Sequence, residues 1–327
     1  MHHRLGTHRE WLEPDGLGGF ASGTLGLVRT RRYHGLLLAA TTPPTGRMLL
    51  VSGCEAHVVT EAGRFALSAQ HYTPDVIYPN GVDHLQHFES TPWPRWRFAL
   101  PDGTCIEHEL FACHGSPRVV LRWRLLTPGA QARLELRPLL SGRDYHALQR
   151  ENGAFRFAAE VSGERLRFQP YAGAPAVLAL SNGQFEQAPD WYRNFLYTHE
   201  RERGLDCVED LACPGVIHYA LDAECAVLVL QMDAAAWPMP RTICRAARLR
   251  SRPFALPWPW PGCTDAITSM TTRTGASAAG NRSSSRRTCS CSAETSAHRL
   301  RTVWRRTNDP ARDDPETRSG AVGRWTR

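Results

Sequence analysis

Arg31, Arg32, Tyr33 and His34 put two guanidinium groups, a phenol and an imidazole in four consecutive positions. Arginine brings a fixed fork of N–H donors, tyrosine a hydroxyl on a flat ring, and histidine a donor or acceptor at each ring nitrogen. Together these groups can grip a hydroxyl-rich sugar, with Tyr33 stacked on a pyranose face. They suit a domain interface equally well, where arginines pair with carboxylates and carbonyls. Arg143, Asp144, Tyr145 and His146 repeat the same residue types. There the first reading is an Arg–Asp pair that pins a loop, and the second is a further sugar contact through Asp144. Asp190, Trp191 and Tyr192 offer stacking rings, although neighbouring aromatics more often fill a core or an interface.

Hydrolysis of a glycoside needs two carboxylic groups, roughly 5–5.5 Å apart for retention or roughly 6.5–9.5 Å apart for inversion. Glu200, Glu202, Asp206, Glu209 and Asp210 are numerous enough. Glu200 and Glu202 alternate with Arg201 and Arg203, the habit of a solvated charged face, so no catalytic residue is assigned among them. Gly16-Leu17-Gly18-Gly19 is not followed by the helix that a dinucleotide loop requires. There is no Gly-x-Ser-x-Gly elbow and no His-Glu-x-x-His pattern, which removes esterase and zinc-protease readings. Cys207 and Cys213 are too far apart for a zinc knuckle, and Cys289 and Cys291 too close. Neither a metal nor another cofactor is expected.

Strands must position these groups. Val51 to Val59, Arg64 to Leu67, Arg95 to Leu100, Cys105 to Phe111, Val119 to Leu125 and Ala132 to Arg137 are short β segments, several of them alternating polar and apolar. That period marks half-buried antiparallel strands. Asp102-Gly103, Asn152-Gly153 and Asn182-Gly183 supply tight turns between such segments. Turn signals every ten or so residues predict a β-sandwich. Upstream, the glycines between Gly16 and Gly26 interleave with Leu17, Phe20 and Leu25, which predicts a tight, buried, irregular corner. The segment from Pro189 to Gly215 breaks the rhythm and reads as a long excursion with a short helix. A last strand pair is expected around Val216–Ala220 and Cys225–Leu230.

Three ordered blocks resemble a known family. They are Glu10-Trp11-Leu12 with Gly16 to Thr24 and Arg31 to Leu37, then Arg137 to His146, then Asp190 to Phe195 with Arg201 to Gly215. These blocks look like the N-terminal domain of the bacterial and archaeal glycogen debranching enzymes, the amylo-α-1,6-glucosidases. The resemblance implies a mainly β fold, an antiparallel, supersandwich-like β-sandwich of the kind in glucoamylase-type N-terminal domains. In that family an (α/α)6 barrel follows the sandwich and carries the catalytic carboxylates. The resemblance therefore implies glycogen or a branched α-glucan as partner, with Arg32, Tyr33, His34, Asp144, Trp191 and Tyr192 as candidate substrate contacts. The alternatives are a free-standing α-glucan-binding module without catalysis and a self-sufficient glucosidase using the Glu200–Asp210 region.

The resemblance stops near residue 235. The chain has 327 residues and no lysine, so all 39 basic side chains are arginine. Residues 1–238 hold 22 arginines against 26 carboxylates, a formal −4, whereas residues 239–327 hold 17 against 6, a formal +11. Residues 1–238 are read as the sandwich domain. Residues 239–327, rich in Arg, Ser and Pro, are read as a disordered tail that cannot bury enough apolar area to offset backbone ordering. Such a tail is what a GC-rich gene yields out of frame, and a frameshift replacing the catalytic barrel is expected there. The chain is then inactive alone. The tail's arginines come without a fold or an aromatic platform, so no specific nucleic acid is expected. No run of 18 apolar residues exists, so no membrane span is expected. The N-terminus lacks the apolar stretch of a signal peptide, which points to the cytoplasm, where the ten cysteines are expected as thiols.

Overall fold

Alternation in the sequence becomes antiparallel pairing at every strand contact among the described residues, which are 7–221 and 225–233 of a computed structural model. Two sheets form. The ten-stranded sheet runs in the spatial order Glu10–Pro14, Phe20–Thr24, Gly35–Thr42, Thr45–Thr60, Arg133–Asp144, Val208–Ala220, Gln184–Leu196, Ala69–Tyr72 and Val76–Asn80, with Gly63–Ala66 beside Thr45–Thr60. The eight-stranded sheet runs Ala159–Ser162, Arg165–Phe168, Val177–Ser181, Ala226–Met232, Arg118–Leu125, Cys105–Ala112, Arg95–Ala99 and Leu85–Glu89. The fold is thus the mainly β, antiparallel sandwich that the sequence predicts.

One core fills the space between the sheets. Leu134, Leu136, Ala212 and Ile217 come from the larger sheet, and Phe98, Ile106, Leu121 and Leu228 from the smaller. Each large side chain sealed this way stabilises the fold by about 1.5–3 kcal/mol. Trp96, His108 and Trp123 sit on neighbouring strands in register. They stack with centroids 5.1 and 4.4 Å apart. Because side chains alternate across a strand, Leu139, Phe195, Leu211 and Cys213 fall on the opposite, outer face of the ten-stranded sheet. There they form a separate apolar cluster with Tyr72 and Tyr192 against it.

The sequence reading needs correction in three places. The segment from Pro189 to Gly215 is not an excursion. It belongs largely to the long strands Gln184–Leu196 and Val208–Ala220, joined through the short helix Thr198–Glu202. Register shifts between Gln187 and Asp190 and between Tyr192 and Phe195 break the period of two and hide the strand, as bulges do. The glycine-rich corner is buried and tight but regular, a hairpin of Glu10–Pro14 and Phe20–Thr24. Asp15 Oδ1 closes its turn by accepting the amides of Leu17 and Gly19 at 2.7 and 2.9 Å. Finally, Cys225 is disulfide-bonded, while Cys54, Cys105, Cys113, Cys207 and Cys213 are free thiols. The expected boundary at 238/239, the tail and its frameshift lie outside the described residues. Among the described residues, no helix is long and apolar enough to cross a membrane.

Candidate functional site

The loop between Phe20–Thr24 and Gly35–Thr42 carries Arg31 to His34 and is fixed from both ends. Arg31 Nε donates to Glu10 Oε1 at 2.7 Å. The His34 ring is fully buried; Nδ1 accepts the Thr30 amide at 3.1 Å, and Nε2 lies 3.2 Å from Glu10 Oε1 without the alignment of a hydrogen bond. Burial pulls the His34 pKa below the usual imidazole range in spite of Glu10. Burial would raise Glu10, but His34 and Arg31 outweigh it and hold the carboxyl below its ordinary range. His34 is therefore a neutral structural ring that shapes the loop, and its place beneath the surface keeps it from sugar.

Arg32 and Tyr33 point the other way. The Arg32 backbone amide and Nη2 both donate to the carboxylate of Glu200, at 3.4 and 3.3 Å, and Nη1 donates to the carbonyl of His146 at 2.7 Å. Tyr33 Oη meets His146 Nδ1 at 3.1 Å. The Tyr33 ring lies 5.6 Å from Tyr145 and 5.7 Å from His146, and the Tyr145 and His146 rings are 3.9 Å apart. The Arg32 guanidinium sits 5.6 Å over Tyr33, and that of Arg47 5.6 Å over Tyr145. Tyr33 and Tyr145 are half-buried and His146 is exposed. The result is a surface cluster of three rings flanked by two guanidinium groups.

A buried ion pair supports it. Arg143 donates from Nε and Nη2 to Glu209, and Tyr197 Oη, Ser141 Oγ and the Gln149 amide donate to the same carboxylate. Burial works against the Arg143 charge, yet Glu209 holds its pKa above the ordinary arginine value. The remaining Arg143 donors reach the carbonyls of Arg32 at 2.8 Å and of Asp144 and Tyr145 at 3.2 Å each. One guanidinium thereby ties both ring-bearing loops to the sheet. Asp144 is exposed and accepts the His146 amide at 2.8 Å, so it does pin its loop, but Arg143 pairs with Glu209 instead of with Asp144.

The candidate residues thus divide. Arg32 and Tyr33 are in the surface cluster, Asp144 turns its loop, and His34 lies beneath. Trp191 is 8% exposed and packs edge-on against Phe155 and Phe157 at 5.3 and 5.7 Å, inside the sandwich core. Tyr192 borders the apolar cluster on the outer face of the ten-stranded sheet. Alternation along Gln184–Leu196 sends these two neighbours to opposite faces, so they form no joint stacking surface. The solvated reading of the charge run fails for Glu200, Glu209 and Asp210, all buried. Each is occupied: Glu200 by Arg32 and Arg203, Glu209 by Arg143, and Asp210 by the amides of Asn194 and Glu151. Tyr145, His146 and Arg47 are not among the contacts that the sequence suggests. The repeated Arg-x-Tyr-His type pointed to the first two, and nothing pointed to Arg47.

Among the described residues no group of three His, Cys, Asp or Glu side chains could hold a metal ion. Comparison with curated proteins finds no match. Residues 9–228 match the family described as glycogen debranching enzyme N terminal, a span that contains both ring-bearing loops, their Arg143–Glu209 support and most of both sheets, and the chain belongs to that family.

Proposed function

We propose that this chain supports the hydrolysis of α-1,6 branches in glycogen or a related α-glucan without carrying out the bond cleavage itself. Its part is to hold glucan chains at the Arg32–Tyr33–Tyr145–His146 surface for a catalytic domain. The observation that carries this reading is the exposed ring cluster flanked by Arg32 and Arg47. Sugar rings present flat C–H faces that stack on such rings, and hydroxyls that accept from guanidinium groups. The occupied state of Glu200, Glu209 and Asp210 favours a non-catalytic role, since none is left to protonate a leaving group or take a water. A cytoplasmic location goes with this proposed role in glycogen breakdown.

The purified chain is expected to release no glucose from a branched dextrin and to bind maltooligosaccharide in the millimolar range. Debranching activity of the purified chain that alanine at the exposed Glu202 or Asp206 abolishes would overturn the non-catalytic assignment for the domain. Calorimetric binding left intact by Tyr33→Ala and Tyr145→Ala would overturn the surface. A second reading, a free-standing α-glucan-binding module, is favoured by the fact that Tyr33, Tyr145 and His146 all come from one domain, residues 9–228. Tight, saturable binding by the chain alone would select it.

A further inference from the structure

Arg29 lies outside this surface and is only 8% exposed. Its guanidinium stands 5.1 Å over the Phe195 ring, on the outer face of the ten-stranded sheet. It rests on Gly53, where any Cβ would collide with Arg29 Nη1. No carboxylate among the described residues comes within ion-pair distance of it, and Nε is sealed from solvent with no hydrogen-bond partner. Nη1 and Nη2 are not sealed in this way, so the charge meets solvent through its terminal nitrogens. Glu55 and Glu209, which act with Arg29 on Tyr72 and Tyr197, have partners of their own. Glu55 is engaged by His57 and Arg137 at 3.7 and 3.9 Å, Glu209 by Arg143, and Asp75 by His71 at 2.7 Å.

A guanidinium so deeply buried, reaching water only through its terminal nitrogens, is costly without a counter-charge, and proteins normally pair it. Neutral hydroxyls would satisfy donors but leave the charge uncompensated. A planar carboxylate matches the fork of a guanidinium and neutralises it. Around Arg29 the setting is amphipathic. Phe195, Leu211 and Leu139 are sealed beneath it, and the half-buried, phenol-bearing rings of Tyr72 and Tyr192 border them and face outward. The Tyr72 ring leans on Phe195 with centroids 4.8 Å apart. Gln70 Nε2 reaches the carbonyl of Cys54, next to Gly53, at 3.4 Å, and its Oε1 has no partner. We infer that Arg29 anchors a carboxylate-binding site on the outer face of the ten-stranded sheet, taking an acid whose body is apolar or ring-shaped.

The carboxylate can come from a free small acid or from an acidic side chain of a docking protein segment. The test follows the Arg29 Nε–H signal of the full chain by nitrogen-15 NMR. Sodium acetate, sodium glucuronate and a short peptide with one glutamate are titrated at constant ionic strength against sodium chloride. A saturable shift with acetate in the millimolar range, absent with chloride, is the expected result. Tighter saturation by glucuronate assigns a free acid, and tighter saturation by the peptide assigns a docking segment. Arg29→Lys should weaken acetate binding about tenfold, because it keeps charge but loses the fork. No shift with any carboxylate, or an equal shift with chloride, would overturn the site on the unaltered chain, whatever the variant does.

Discussion

Arg143 donates through Nη2 to the backbone carbonyl of Arg32 at 2.8 Å, across 111 residues of sequence. The same guanidinium is paired with Glu209, which is fully buried. The surface that carries Tyr33 is thus suspended from a charge pair inside the protein. Two consequences separate cleanly, one for folding and one for binding.

Arg143→Met leaves Glu209 buried without its counter-charge. Removing one partner of a buried pair costs about 3–5 kcal/mol. Urea unfolding should show that loss, and Arg143→Lys should show a smaller one because it keeps charge but not the paired donors. A midpoint for Arg143→Met within error of the parent would mean that the pair does not hold the loops.

Tyr33 is half-buried and its hydroxyl contact, to His146, is at the surface. Tyr33→Ala should therefore change stability little and lower maltooligosaccharide affinity about tenfold, the loss expected from one stacking ring. Tyr33→Phe should keep most of the affinity, since stacking and not the hydroxyl does the holding. Calorimetry on both variants checks the order. Equal losses for Phe and Ala would place the effect in the hydroxyl.

How far the sequence reveals this arrangement depends on separation along the chain. The sandwich and most strands follow from local alternation, as in Arg95–Ala99, where buried and open positions alternate. The resemblance of residues near Arg31 to His34 locates one half of the surface. What is hidden is pairing at a distance. Glu200 and Glu209 look like members of an open charge run, and only their arginine partners, 168 and 66 residues away, make them interior. Trp191 and Tyr192 look like one aromatic patch until the strand sends them to opposite faces. Bulges in Gln184–Leu196 erase the very period that would have announced the strand.

The Trp96–His108–Trp123 stack sets an acid limit on stability. Burial lowers His108 from the ordinary imidazole value of 6.5 to about 4, so the folded ring stays neutral while the unfolded ring charges. Its contribution is present above the unfolded value and is lost as pH falls from 6.5 toward 4. Between about pH 7 and about pH 5 this removes about 2 kcal/mol. Asp15 opposes it, because burial raises that carboxyl to about 6 and folding there gains as pH falls. The His108 part is isolated by difference. Urea unfolding of His108→Phe should show less loss on acidification than the parent by about that amount, and equal losses would remove the ring as the cause.

The opening hairpin makes the last contrast, between two of its glycines. Gly18 has φ +101°, and a Cβ there would lie 2.5 Å from the carbonyl oxygen of Pro44, a backbone atom that cannot swing aside. Gly23 has an ordinary backbone, and its nearest obstacle is the Trp11 ring at 3.0 Å. Gly18→Ala combines a left-handed backbone with a collision and should cost about 2 kcal/mol or more. Gly23→Ala requires only a small shift of Trp11. It gains from a less flexible unfolded chain by about 0.4–1 kcal/mol, which offsets part of that shift. Thermal unfolding should rank Gly18→Ala well below both Gly23→Ala and the parent. The reverse order would show that the turn yields more easily than its backbone contact with Pro44 allows.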